Sequence, residues 1–367
     1  MLEEKYKYDN LVKIHEIKDY DTLLDFINID GRDLREKFIF RGLKKYNYEL
    51  VPSSLRKSDD DTYNINQFIK KSEFKFHKKE LKREKMDGKE GLSEIHSTVD
   101  KNNNSVSQTS PYEISSDSEL QFKREIYVLL KFLDYADKIG LKIKASTSIR
   151  RWIHNYLSYE NKKDELWPKP EFYEIISLAQ HNGLPTRALD WSYDFKVALF
   201  FAVSDVLNDN NNDDCIFWAF NYKIFEENYH EKENEKLIIY RPEYNANSNL
   251  KGQKGLFTFL TSENYENIDD ETPFDEYIIN NLKKTECINP YNNLKEECYK
   301  LDGFRGFKLD DNEKIFHKFV IKGDLKAKII NDLYLDGYGY ENIYPSYCGV
   351  VRSIRKRARL DKLLNQD

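Results

Sequence analysis

The segment FIFRG, residues 38–42, ends a short apolar run on an arginine followed at once by a glycine. Arginine presents a planar fork of donors that matches phosphate and carboxylate oxygens. A glycine beside it lets backbone or ligand approach closely. Arg41 therefore has two readings: an ion-pair partner that ties two elements together, or a clamp for an anion.

A second concentration of chemistry lies in LAQHNGLPTRALDW, residues 178–191. Gln180, His181, Thr186, Arg187, Asp190 and Trp191 fall on a helix end and the connection after it, where functional residues often collect. His181 near a helix C-terminus is expected to favour its protonated form. The structural alternative is that His181 caps one helix and Asp190, near Ser192, caps the next. In NLKGQKGLFTFL, residues 249–260, Gln253 precedes an apolar strand, where it would bond either a ligand or the backbone. In GYGYENIYPSYCG, residues 337–349, Glu341 stands among four tyrosines. It is either a carboxylate for a base or a ribose hydroxyl, or an exposed loop residue. The other six histidines, His15, His77, His96, His154, His230 and His317, lack metal-ligand spacing, and no metal is expected.

Positioning these groups requires both strands and helices. Residues 12–28 read as a strand and then a helix, capped by Asp19 or Asp21. FIFR at 38–41 reads as a buried strand, and YELVPSSLR as a second extended piece broken by Pro52. Residues 58–117 read as a charged insertion: a possible amphipathic helix at 66–86, then a polar loop. Ser116 and Glu119 have capping-box spacing before a helix that Gly140 would end. Helices follow at about 148–158 and 171–181, the latter ended by Gly183. VALFFAV fits a deeply buried helix starting near Ser192, and CIFWAF (Cys215–Phe220) a central strand. KLIIY, GLFTFL and KIFHKFVI read as further strands, and DLKAKIINDLYLDG as a helix ended by Gly337. The expected fold is α+β, a mixed, mainly antiparallel sheet with flanking helices. No regular βα repeat or phosphate-binding glycine pattern occurs.

Composition narrows the function classes. The 367 residues carry a net charge of −6, against wholesale binding of a nucleic-acid backbone. RSIRKRAR near the C-terminus is a small basic exception, with the spacing of an amphipathic helix. The four cysteines form no CxxC pair and read as reduced thiols. No secretory segment is evident, and VALFFAV is too short to span a bilayer, so no membrane role and a cytoplasmic location are expected.

The words FRG, YELVPSSLRK, LAQHNGLPTRALDWSYDFKVALFFAV and GQKGLFTF, in this order and spacing, closely resemble the FRG domain of bacterial proteins. The resemblance covers roughly residues 12–57 and 120–260, with a weaker tail to about 345. It divides the chain into an N-terminal part at 1–57, the insertion at 58–117, the main part at 118–260, and residues 261–367 completing or flanking the core. Two features are similar to ADP-ribosyltransferase folds, an arginine and glycine ending an early strand and a threonine before a buried helix, which implies an ADP-ribosyltransferase-like core.

That resemblance implies NAD or another nucleotide as the substrate. Arg41 would grip the pyrophosphate or ribose, Thr186 the ribose end, and Trp191 would stack on nicotinamide. His181 and Asp190 would orient groups or move a proton, and Asp190 or Glu341 would face the oxocarbenium-like centre. Where such enzymes carry a catalytic glutamate, this chain has Gln253. A second implication is therefore a sensor of a nucleotide or phage component, with Arg41, Gln180, His181 and Arg187 forming an anion pocket. A nuclease using His181 and Asp190 is a third. The setting implied is bacterial anti-phage defence or a toxin, with an unknown macromolecular target.

Overall fold

A computed structural model describes residues 7–28, 34–58, 62–69, 117–144, 146–158, 166–209, 212–229, 236–243, 248–263, 270–288, 294–310 and 313–365. The strands are β1 (Val12–Ile17), β2 (Ile39–Leu43), β3 (Leu166–Trp167), β4 (Leu189–Ser192), β5 (Cys215–Phe220), β6 (Leu237–Tyr240), β7 (Gly255–Leu260), β8 (Ser262–Glu263), β9 (Lys283–Ile288), β10 (Lys295–Lys300) and β11 (Phe316–Ile321). The helices are α1 (Tyr20–Asn28), α2 (Leu34–Lys37), α3 (Asp117–Lys138), α4 (Ser146–Ser158), α5 (Tyr173–His181), α6 (Phe195–Val203), α7 (Val206–Asp209), α8 (Tyr222–Glu227), α9 (Ser248–Gly252), α10 (Phe274–Asn281), α11 (Lys326–Leu335), α12 (Tyr340–Ile343) and α13 (Tyr347–Leu364).

Seven strands form one sheet in the order β1-β11-β5-β2-β4-β7-β6. β1 and β11 run parallel, and the other five neighbour pairs are antiparallel. The fold is thus α+β, with a mixed, mostly antiparallel sheet. CIFWAF is buried along its whole length because it has a strand on each side and a core on each face. On one face Phe40, Phe217 and Phe319 pack with α1, α6 and α11. On the other, Leu189, Trp191, Phe220 and Phe316 pack with α10. A third core joins α3, α4 and α5 to Phe257 and Phe259 of β7. α6 is apolar on nearly every side because nearly every side is covered.

Several local expectations shift. The arginine strand runs over Ile39–Leu43, so Arg41 is its middle residue and not its end. YELVPSSLR is turn and irregular backbone, pinned by the Leu55 amide donating to the Pro52 carbonyl at 3.0 Å. Asp19 caps α1 by accepting from the Thr22 amide at 2.7 Å. Neither Asp190 nor Ser192 caps α6; both lie in β4, and Asp194 accepts from the Lys196 amide at 3.0 Å. Gly183, at φ +85°, follows α5, where the Leu184 amide donates back to the Ala179 carbonyl. Most of the expected helix at 66–86 and the Ser116 end of the capping box lie outside the described residues.

The paired β1 and β11 hold two histidines ring to ring. His15 Nε2 and His317 Nδ1 are 2.9 Å apart, and the ring of His15 also stacks on Phe319. Burial, aided by Lys13, pulls His15 down to about 4. Burial, His15, Lys13 and Lys314 pull His317 down to about 3. The unfolded chain therefore takes up protons first as pH falls. The stability the neutral pair contributes is complete above about pH 6.5 and is lost as pH falls toward 4 and 3. In urea midpoints measured from pH 7.5 to 4, the double variant His15→Phe/His317→Phe is expected to lose less stability than wild type over this window. Equal losses would show that the pair does not set the acid response.

Candidate functional site

β2 pairs with β5 over all five of its residues, and β4 pairs with β7 over all four. Between β2 and β4 there is one paired residue, Phe40 with Ser192. The sheet parts beyond this point, and a cleft of about 470 Å³ opens where it does. Val197, Ala198 and Phe201 of α6 form part of its lining, so the buried helix lies against the cleft as well as the core. Arg41, Arg56, Gln180, His181, Asp190 and Gln253 come together around it from five separate stretches of chain.

Gly42 explains the tripeptide at 40–42. A Cβ there would lie 1.9 Å from the Ala198 carbonyl oxygen and 2.7 Å from the Ala202 amide nitrogen. The glycine admits a helix backbone, which fixes α6 directly against β2.

Arg41 is only 9% exposed, and its Nη1 donates to both the backbone oxygen and Oδ1 of Asp190, each at 2.6 Å. Its Nε is buried with no hydrogen-bond partner among the described residues. The Asp190 side chain remains half-exposed in the cleft wall. Gln180 holds it from the other side, its amide Nε2 donating to Asp190 Oδ1 at 3.3 Å. Hydroxyls of Ser53 and Thr186 donate to Gln180 Oε1 at 2.8 and 2.9 Å, which fixes the orientation of that amide. Thr186 is therefore one step behind the cleft, a support for Gln180 and not itself in the lining.

The cleft carries a surplus of positive charge. The cleft walls strip part of the water from the half-exposed Asp190, which opposes its ionisation, but the charge and hydrogen bond of Arg41, with Arg56 further off, outweigh this and hold the carboxyl below its usual range. Arg56 donates from Nε to the Val51 carbonyl at 2.8 Å. Burial and then the Arg41 charge pull it down to about 10, so it is still cationic at neutral pH. With Lys44 at the rim, three cations face one carboxylate, Asp190, among the described residues lining the cleft. His181 departs from expectation. Burial lowers its pKa by more than the Asp190 charge restores, so its neutral form is favoured despite its place at a helix C-terminus.

Two further proposed site residues lie outside the cleft lining, and a third, Trp191, borders the cleft with its side chain buried. Arg187 is buried and paired bidentately with Glu125 of α3, at 2.6 and 3.0 Å, and is not in the cleft lining. The Trp191 indole faces the second core, donates to Thr258 Oγ1 at 2.9 Å and packs on Phe220 and Phe274, so it is not free to stack on a ligand ring. Glu341 accepts from Arg357 at 2.9 Å and does not line the cleft, because α12 turns it toward α13. Arg56, Tyr48 and Tyr344 line the cleft without having been assigned roles from the sequence. Arg56 falls in YELVPSSLRK, whose irregular backbone gives no periodicity to indicate where its side chain points.

A mixed, mostly antiparallel sheet that parts over a cationic cleft, with an arginine and a carboxylate joined across the gap, defines an α+β protein with a positively charged cleft. Residues 127–211 match the family model of the FRG domain, and the chain is an FRG domain-containing protein. The match runs from within α3 to just past α7. It contains Gln180, His181, Asp190 and α6, whereas Phe40, Arg41 and Gly42 lie upstream of it. No curated protein and no solved structure matches the chain. Among the described residues no helix is long and apolar enough to cross a membrane, and no group of three or more His, Cys, Asp or Glu is placed to hold a metal ion.

Proposed function

We propose that the cleft binds a phosphate-bearing nucleotide of the NAD class and that the protein is an ADP-ribosyltransferase-like enzyme of bacterial defence or toxin systems, acting in the cytoplasm. The observation that carries this reading is the surplus of Arg41, Arg56 and Lys44 over Asp190 in a cleft of a chain whose net charge is −6. Arg41 and Arg56 would take the pyrophosphate oxygens. Tyr48 and Tyr344 are the aromatic rings at hand for a base or nicotinamide. Asp190, ionised and held by Arg41 and Gln180, is the carboxylate available to stabilise positive charge as the nicotinamide–ribose bond breaks. Neutral His181 can accept the proton of an attacking group.

The full chain titrated with NAD in a calorimeter tests the binding. Arg56→Ala is expected to weaken it by about 10- to 100-fold, the worth of one charge-assisted hydrogen bond. Asp190→Asn is expected to retain binding within several-fold while NAD consumption falls by about 100-fold or more. NAD consumption unchanged by Arg41→Ala and Asp190→Asn would sink the enzymatic reading. A second reading, a nucleotide sensor without turnover, is favoured by one observation: the cleft's carboxylate is already neutralised by Arg41. Binding that depends on Arg56, with no nicotinamide released by wild type, would select it.

A further inference from the structure

α13 is the most basic element of an acidic chain. Its 18 residues include Arg352, Arg355, Lys356, Arg357, Arg359 and Lys362 against one acid, Asp361. It packs inward through Gly349, Ser353 and Leu360. The opposite face is not simply charged. Tyr347, 93% exposed, Val351, Ile354, 65% exposed, and exposed Ala358 recur at intervals of four, three and four residues. That interval keeps them in one line along the helix, the spacing of a seam that takes a second helix. The line spans roughly 17 Å at 1.5 Å per residue.

The charges are arranged around this line. At 100° per residue, Arg352, Arg355, Arg359 and Lys362 fall along one edge of it. On that edge Tyr347, Val351, Arg352 and Arg355 line a groove of about 740 Å³ that Asn208 closes from the end of α7. Other cations of the helix are turned to internal work. Lys356 donates to the Leu207 carbonyl and Asn208 Oδ1, and Arg357 pairs with Glu341. A face built for a phosphate backbone would put its cations at the centre and spare it exposed Val and Ile. A second copy of the same helix would set two strongly cationic edges in one interface.

We propose that this face docks an amphipathic helix of a partner protein, one with an apolar stripe bordered by Asp and Glu. Val351 and Ile354 enter the partner's stripe, small Ala358 permits close approach, and Arg355 and Lys362 meet the acidic border. This surface is separate from the cleft, and the proposal does not depend on what the cleft binds.

The probe is a synthetic three-heptad peptide with leucine at the seam positions and glutamate along both borders, titrated into the full chain by fluorescence anisotropy. Wild type is expected to bind it, and to bind a scrambled peptide of the same composition at least about 10-fold more weakly. Ile354→Glu is expected to abolish binding. The double variant Arg355→Glu/Lys362→Glu is expected to lose the glutamate peptide and gain one bordered by lysine. Three binding results would overturn the proposal. They are no binding of the glutamate peptide, equal binding of the scrambled one, and tighter binding of duplex DNA that depends on Arg355 and Lys362 but not Ile354. A wild-type dimer in sedimentation that Ile354→Glu converts to monomer would also overturn it, by assigning the face to a second copy.

Discussion

Replacing Arg187 by methionine is expected to cost about 3–5 kcal/mol of stability, the usual cost of breaking a buried ion pair from one side. Both partners are nearly inaccessible, Arg187 at 6% and Glu125 at 4% exposure. The Glu125 carboxylate collects more than the guanidinium. Ser54 and Gln121 donate to Oε1 at 2.9 and 3.1 Å, and the Trp167 indole donates to Oε2 at 2.9 Å. These donors come from α3, from β3 and from the irregular segment after β2, so one carboxylate ties together parts of the chain far apart in sequence. In Arg187→Met those neutral donors remain to hold the carboxylate. In Glu125→Leu they are orphaned along with a buried guanidinium, so this variant is expected to be the less stable of the two. The double variant should recover only part of the loss, because no donor regains an acceptor. Against a typical total of about 5–15 kcal/mol, either single change removes a large fraction of stability. Urea unfolding of the set measures it. A loss below about 1 kcal/mol in Arg187→Met, together with lost nucleotide binding, would return Arg187 to the site.

This residue also shows where sequence-based inference stops. Arg187 sits among true cleft residues in LAQHNGLPTRALDW, and its neighbours in sequence give no sign that it faces away. What decides its role is Glu125, 62 residues earlier on another helix. Trp191 is a similar case. It is adjacent to Asp190, but strand alternation sends the two side chains to opposite faces, and only a correct assignment of β4 as a strand reveals this. The groups that were legible are those whose local pattern is strong. CIFWAF, GLFTFL and VALFFAV announce buried elements by composition alone, and Arg41, Gln180, His181, Asp190 and Gln253 meet in one cleft because those elements bring them there. The sheet order was not legible. β1 and β11 are parallel neighbours from opposite ends of the chain, and no local signal encodes such a pairing. The parting of β2 from β4, which makes the cleft, is a property of that order.

Gly42→Ala is expected to be strongly destabilising for the addition of a single methyl group. The added Cβ would meet the Ala198 carbonyl oxygen at 1.9 Å, far inside contact, with the Ala202 amide at 2.7 Å behind it. Both atoms are helix backbone, so no side-chain rotation relieves the clash. Either β2 moves away from α6 or the first turns of α6 deform. Overpacking of this kind costs about 1–3 kcal/mol where side chains can adjust, and the rigid partner here places Gly42→Ala at the top of that range or above it. A second substitution distinguishes this cause from ordinary crowding. Ala198→Gly removes a methyl but leaves the obstructing carbonyl in place, so Gly42→Ala/Ala198→Gly should be no more stable than Gly42→Ala alone. Rescue by Ala198→Gly would show that the side chain, not the backbone, sets the limit. The functional consequence follows from the position of the neighbour. Arg41 reaches the backbone oxygen and Oδ1 of Asp190, each at 2.6 Å, a geometry that a small displacement of β2 would break. In any Gly42→Ala protein that remains folded, nucleotide binding should fall with the loss of that bridge, although no atom of Gly42 need touch the ligand. The arginine and glycine are thus one device with two faces: the glycine seats the strand against its helix, and that seating aims the arginine at the carboxylate across the cleft.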